Sequence, residues 1–227
     1  MMSQLQENNK IKKLYPDSGV ELKKFTARHY DKIMNIASFG RYNSFINKAI
    51  ADLDIKQNDK ILDLACGTGR NILLMNKYVS DNSLLIGLDI SKDMEKQFKI
   101  NCNKFSNIKF INKRIDQLFN FEQKFDKVFI SFAIHGFPHK IRKIIIENAY
   151  NNLKPGGSFN ILDFAEFNIN KMPFLHRFIF KKIECKYAFD FIEKDWKDIL
   201  KGFGFDNFKE KFYFKNYVRL LKAEKQC

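Results

Sequence analysis

The sequence predicts an α/β fold in which a parallel β-sheet is covered by helices on both faces, introduced by a helical segment and closed by a C-terminal β-hairpin. Three observations predict it. From residue 60 onward, short apolar runs alternate with amphipathic stretches at the spacing of βαβ units. Ahead of that point, apolar residues fall at three- and four-residue intervals, the helical period. At the other end, two strand-like runs stand back to back with no helix between them.

Taken in order, Leu22, Phe25, His29 and Ile33 keep helical spacing until the turn Ser38-Phe39-Gly40, and Phe45, Ile46, Ala49 and Leu53 then mark a second helix. Residues 21–54 therefore form a helical preface behind a flexible stretch 1–20, and 21–227 make one domain. Strands are predicted at 60–65, 83–88, 108–111, 127–131 and 158–163, with helices at 71–78, 92–102 and 141–153. A helix around 194–200 and a Gly202-Phe-Gly204 turn lead to the hairpin runs 207–214 and 217–223.

An apolar content of 45% in 227 residues is enough to bury a core, which excludes a disordered tail protein. Forty Lys and Arg against 26 Asp and Glu give a net charge of +14, and 25 of the residues are Phe. Nucleic acid, an anionic membrane surface and an acidic metabolite are all compatible with that balance, and so is codon-level drift toward Lys. The first ten residues hold no apolar signal core and no run approaches 18 apolar residues, so a cytoplasmic protein is expected. Cys66, Cys102, Cys185 and Cys227 form no C-x-x-C pair, so neither a zinc site nor a disulfide framework is expected.

The chemistry concentrates in Ile61-Leu-Asp-Leu-Ala-Cys-Gly-Thr-Gly-Arg-Asn71, where an apolar strand reaches Asp63 and passes through Gly67 and Gly69 into a helix. Glycines let the backbone approach a ligand, and the helix start offers free N–H donors. A dinucleotide fingerprint would need glycine at 72, which is Ile72, so a pyrophosphate is disfavoured. The next strand ends in Asp89, 20 residues past Gly69, where a carboxylate accepts both hydroxyls of a ribose. Asp63 complements a cationic amino end. The implied ligand carries a ribose, no diphosphate, and an amino-acid end.

That combination resembles the motifs of class I S-adenosylmethionine-dependent methyltransferases, from about residue 20 to the C-terminus. Asp63-x-Ala-Cys-Gly67-x-Gly69 matches their first motif, with Ala65 where glycine is common, and Gly87-Leu-Asp89-Ile90-Ser looks like the second. Arg114-Ile115-Asp116 stands in the place of the loop that brackets adenine; Phe125–Ser131 resembles strand four, and Leu153-Lys-Pro-Gly-Gly157 the turn that opens strand five. The resemblance implies a Rossmann-like seven-stranded methyltransferase sheet, S-adenosyl-L-methionine as cofactor, and Asp63, Ala65, Cys66, Gly67, Gly69, Asp89, Ile90, Ile115, Asp116 and Ser131 as its binding residues. Tyr30-Asp31-Lys-Ile-Met34-Asn35 followed by Ser38-Phe39-Gly40 looks like the helix pair of the ubiquinone/menaquinone C-methyltransferase family, and phosphatidylethanolamine N-methyltransferases share much of this. After strand four the quinone family has an arginine-asparagine pair, whereas this chain reads Phe132-Ala-Ile-His135-Gly-Phe-Pro-His139.

The expected function is methyl transfer to a small, lipid-soluble or aromatic acceptor such as a quinol precursor, with a phospholipid or small amine as the alternative. His135, at the C-terminal end of strand four, and Tyr30, in the preface, are the candidate catalytic residues, with His135 a base, a positioning group or a structural histidine. Asp163, ending strand five, is expected either to line the acceptor side or to have a structural role. His135-x-x-x-His139 has metal-like spacing, but Gly136 and Pro138 break a common helical face, so no metal is expected. In 174–182, Phe174, Leu175, Phe178 and Ile179 share a face flanked by Arg177, Lys181 and Lys182, which suits either a peripheral membrane contact or a lid or dimer contact. A nucleic-acid methyltransferase is disfavoured because Ser131-Phe-Ala-Ile lacks the Asn/Asp-Pro-Pro-aromatic element; an aminopropyl transferase would have an acid where Ser131 stands; a cofactor-binding module without activity is disfavoured by intact Asp63 and Asp89. A monomer or homodimer is expected.

Overall fold

A strand whose every residue is buried must be covered on both sides, and the run Ile61–Leu64 (β1) is buried at all four positions. The computed structural model describes residues 42–226, without the side chains of Leu175, His176, Ile179 and Ile183. The first helix of the preface, with Tyr30, therefore lies outside the described residues. The second is α1 (Tyr42–Ala51), which buries Tyr42, Phe45, Ile46, Ala49 and Ile50 on one face. After β1 come α2 (Arg70–Met75) with a 3-10 turn over Asn76–Tyr78, β2 (Leu85–Asp89), α3 (Lys92–Cys102), β3 (Ile108–Asn112) and β4 (Phe125–Ser131). A 3-10 turn at Ile134–Gly136 leads to α4 (His139–Asn152) and β5 (Leu153–Phe164). Three helices follow, α5 (Phe174–Ile183), α6 (Lys186–Ile192) and α7 (Trp196–Lys201), and then the hairpin of β6 (Phe205–Tyr213) and β7 (Val218–Lys225).

The seven strands order as β3-β2-β1-β4-β5-β7-β6, parallel except for β7, which runs antiparallel to both β5 and β6. This is the Rossmann-like methyltransferase sheet that the motifs imply. Alternate residues divide between two cores. Leu62, Leu64, Val128, Ile130, Phe159 and Ile161 pack with Ile145, Ile146 and Ala149 of α4, with Phe191 of α6 and with Trp196 of α7. Ile61, Phe129, Leu162 and Leu220 pack on the opposite face with α1 and with Ile72, Met75, Phe98 and Cys102 of α2 and α3. The chain leaves β1 toward β2 on one side and reaches β4 on the other, so a crevice opens beyond the carboxyl ends of β1 and β4, where ligands of open α/β sheets bind.

Three differences from the predicted elements have local causes. The turn expected to open strand five lies inside it: Phe125 pairs with Leu153 and Lys127 with Ser158, so residues 154–157 bulge, helped by Gly156 at φ +72°. The helix predicted over 71–78 tightens into 3-10 geometry after Met75. Helix α6 was not predicted, because seven residues are too few to establish a period. Among the described residues no helix is long and apolar enough to cross a membrane.

Candidate active site

At the carboxyl end of β1 the backbone turns through left-handed conformations at Ala65 (φ +57°), Gly67 (φ +54°) and Gly69 (φ +79°) before α2 begins. Gly69 is required twice over, since a Cβ there would also lie 2.6 Å from Cδ2 of Phe98. Ala65 tolerates the conformation at a steric cost that glycine would not incur. Cys66 turns inward: its N–H donates to the Leu88 carbonyl at 2.9 Å, and its side chain fills the space that a Cβ on Gly87 would need, at 2.6 Å from Sγ. Burial, then the charges of Asp63 and Asp89, push its thiol well up, so it is a neutral packing group whose backbone alone faces the loop.

Two carboxylates line this loop. Asp63 is 1% exposed and its Oδ2 has no hydrogen-bond partner; burial, then the neighbouring Asp89, raise its pKa far above the usual carboxylate range. A buried, unpartnered carboxylate is costly on its own, and a cationic ligand group is what relieves it. Asp89 is better supported: Oδ2 accepts the Gly67 N–H at 3.0 Å and Oδ1 the Ser91 N–H at 2.9 Å, so that burial raises its pKa while these backbone donors and Ile90 oppose the rise. Ser91 in turn caps α3 by accepting from the Met94 N–H. Beside it, Ile90 is 43% exposed, an apolar side chain held at the rim. On the next strand connection Ile115 is buried and its carbonyl accepts from Asn148, while Asp116 is gripped by Arg114 through bonds of 2.9 and 2.5 Å. Ser131 closes the far end of the crevice, its Oγ accepting from Asn71 Nδ2 at 2.8 Å.

A second group of residues assembles past β4. Phe132 takes φ +47°, which turns the chain into the 3-10 segment carrying His135. There His135 Nδ1 lies 2.7 Å from Asp163 Oδ1, the His135 N–H donates to Asp163 Oδ2 at 3.3 Å, and Nε2 lies 3.6 Å from Glu184 Oε2. Burial presses the imidazole pKa down, but Asp163, by charge and hydrogen bond, and then Glu184 outweigh it, so the net direction is up. Arg142, wholly buried in α4, holds the segment: it donates to the carbonyls of Ile134 (3.2 Å), His135 (2.9 Å) and Tyr187 (2.5 Å) and pairs with Asp190 at 2.6 Å.

The structure brings Asp63, Gly67, Gly69 and Asp89 together in one loop cluster, and joins His135 to Asp163. His139 opens α4 and packs near Trp196, with ring centroids 6.4 Å apart, so it does not share a helical face with His135. Among the described residues no group of three or more His, Cys, Asp and Glu is arranged to hold a metal ion. Sequence reasoning missed Glu184 and Arg142, which lie 49 and 7 residues from His135 and carry no motif, and gave no role to Asn71, whose partner Ser131 is 60 residues away.

A model of the ubiE/COQ5 methyltransferase family matches residues 17–198, most of the chain. The chain belongs to the ubiE/COQ5 methyltransferase family. Its relatives include a demethylmenaquinone methyltransferase of Staphylococcus carnosus (strain TM300), 30% identical over 57% of this chain and 53% of that one. The ubiquinone/menaquinone biosynthesis C-methyltransferase UbiE of Wigglesworthia glossinidia brevipalpis is 32% identical over 60% of this chain and 55% of its own. The chain thus spans about half the length of the curated relatives it matches. Solved structures share the fold: a SAM-dependent methyltransferase from Aquifex aeolicus at TM-score 0.63 and 16% identity, covering 90% of this chain and 99% of that one, and the magnesium protoporphyrin IX methyltransferase of Synechocystis PCC 6803 with bound SAH at 0.58 and 19%, covering 81% of each. The cofactor of this family is S-adenosyl-L-methionine, and the residues present fit it, above all the buried carboxylate of Asp63, which lacks a partner at Oδ2.

Proposed function

We propose that this protein transfers a methyl group from S-adenosyl-L-methionine to a small, lipid-soluble aromatic acceptor of the hydroquinone class, with His135 as the base that takes up the acceptor's hydroxyl proton. The observation that carries the reading is the His135–Asp163 pair at the carboxyl ends of β4 and β5, beside the crevice lined by Asp63 and Asp89. Asp89 holds the ribose hydroxyls, Asp63 the cationic amino end, Ile90, Ile115 and Asp116 the adenine edge and face. The backbone of Ala65, Cys66, Gly67 and Gly69 approaches the cofactor closely, with Ser131 at the acceptor-side end.

The cofactor supplies a methyl group already activated on a sulfonium, so the protein's part is alignment, desolvation and deprotonation of the nucleophile. Loss of the hydroxyl proton pushes electron density onto the adjacent ring carbon, which takes the methyl group as its bond to sulfur breaks; the ring then regains its aromaticity by giving up the hydrogen of that carbon as a proton while the oxygen is reprotonated. Asp163 on Nδ1 fixes the tautomer that leaves the Nε2 lone pair toward the acceptor, and stabilises the imidazolium once Nε2 has taken the proton. Phe164, whose ring lies 4.9 Å from that of His135, supplies an apolar aromatic wall beside the base. The match to relatives named for demethylmenaquinone and ubiquinone/menaquinone methylation supports a quinol as the acceptor.

The exposed face of α5 supports a peripheral contact with an anionic membrane, where such an acceptor resides. Phe174 is 75% and Phe178 53% exposed, next to Arg177, Lys181 and Lys182. The function is tested with methyl-labelled cofactor offered to reduced demethylmenaquinone and, separately, to phosphatidylethanolamine. Label should enter the quinol, and His135→Gln should lower that rate about a hundredfold or more with cofactor affinity retained. Label entering only the phospholipid would replace the quinol with an amine acceptor; label in neither would overturn the proposal.

A further inference from the structure

The His135 ring is held from both ends, and the two carboxylates that hold it differ in their access to water. Asp163, from β5, approaches Nδ1 and is 1% exposed. Glu184, from the joint between α5 and α6, approaches Nε2 and its side chain is 22% exposed. The charged groups facing the ring from the elements packed on it are these two and Arg142 of α4, whose charge is shared with Asp190. The rings of Phe164 and Phe191 lie 4.9 and 6.4 Å from that of His135, centroid to centroid. A proton delivered to Nε2 in such an enclosure must leave again before the next turnover. Asp163 cannot carry it out, because it is sealed in and engaged by the His135 and Phe164 N–H groups. Arg142 has no acceptor capacity.

We propose, resting on the reading of His135 as the base, that Glu184 is its partner in a proton relay: it orients the Nε2 edge of the ring, stabilises the imidazolium, and passes the proton to water. The geometry suits a relay rather than a fixed pair. At 3.6 Å the Nε2 to Oε2 separation is beyond hydrogen-bond length, so a carboxylate sits within one small movement of the proton without occupying the lone pair that the acceptor needs. The position of Glu184 is set by the fold: it is the C-cap of α5, its N–H donates to the Phe180 carbonyl at 3.0 Å, and Phe180 is buried against Phe164, the residue that lies against His135. Burial raises the Glu184 pKa, His135 lowers it and Asp163 raises it again; the net rise makes Glu184 a more willing proton acceptor than a surface carboxylate.

Two measurements test this. The first follows the imidazole resonances of isotope-labelled protein without acceptor, with the His135 signal identified by its loss in His135→Gln. Glu184→Gln should lower the His135 pKa by about one pH unit, since an opposite charge near the ring is removed, and Glu184→Asp should fall between. An unchanged His135 titration in a folded Glu184→Gln protein would overturn the proposal. The second measures methylation of reduced demethylmenaquinone by Glu184→Gln against buffer concentration at fixed pH. Turnover should fall about tenfold or more and recover as small buffer bases replace the missing outlet. A fall with no buffer dependence would reduce Glu184 to a structural cap. A shifted titration in a protein that methylates no acceptor would leave the contact with His135 standing and sink the methylation reading alone.

Discussion

Asp63 is the residue where burial and function pull hardest against each other. Its folded pKa is raised, first by burial and then by Asp89, so the ligand-free protein binds more protons than the unfolded chain above the ordinary value of 3.8. Stability of the ligand-free protein therefore falls as pH rises from that value through the raised one, the reverse of the usual salt-bridged Asp. A ligand ammonium pairs with the ionised form, so affinity for S-adenosyl-L-methionine should rise over the same interval, with proton release visible as buffer-dependent heat in calorimetry. Asp63→Asn should melt higher than the parent when free yet bind the cofactor at least about tenfold more weakly; equal affinity would remove Asp63 from the site. Asp89→Ala should also cost about tenfold or more in affinity, because the carboxylate proposed to hold both ribose hydroxyls is lost. His135 has the same sign: its pKa is also raised, so the stabilisation it draws from Asp163 is complete below its ordinary value of 6.5 and is lost as pH rises through the folded value.

Between elements, the acceptor side depends on α4 reaching across to α6. Arg142 makes the polar link: one wholly buried guanidinium joins the 3-10 segment of His135 to the Tyr187 carbonyl and Asp190, and lies against the rings of Phe191 and Trp196, 5.2 and 5.6 Å from their centroids. Arg142→Leu would leave three carbonyls without these donors, and a destabilisation of roughly 3–5 kcal/mol is expected in urea unfolding. In the surviving folded protein turnover should fall while cofactor affinity holds, because Asp63 and Asp89 are on other elements. Helix α5 is divided differently from its apolar stripe. Phe180 turns inward to an aromatic group of Phe164, Phe167 and Phe189, with ring centroids 5.1, 5.7 and 5.5 Å away, leaving Phe174 and Phe178 outside. A helix that buries one ring and exposes two is seated on the protein without being covered.

For the molecule as a whole, the sequence carries a net charge of +14. The part that coincides with exposed aromatic rings is local: Lys182 lies 5.7 Å from the ring of Phe178, with Lys181 beside it. Each cation near an anionic surface contributes about 1 kcal/mol, so replacing Lys181 and Lys182 by Glu should shift most of the protein to the supernatant in sedimentation with phosphatidylserine vesicles at low salt. Equal sedimentation of variant and parent would discard the membrane contact.

The loop proposed to hold the cofactor was legible in the chain because consecutive residues build it. A strand end, glycines at 67 and 69, a helix start and the acid ending the next strand are local features whose chemistry survives without knowing the rest of the fold. Strand boundaries were read to within a few residues for the same reason, except where the Pro155-Gly156-Gly157 bulge hid inside a ladder that only pairing with β4 defines. The acceptor half was legible only as His135 and a bare mention of Asp163. Its working geometry joins residues 28 and 49 positions apart, and the proton affinity of His135 is set by how deeply burial and those two carboxylates enclose it. Sequence by itself determined the fold and the cofactor, because both follow from local backbone requirements; tertiary structure decided which side chains meet the imidazole, because enclosure from water is a property of packing between distant elements.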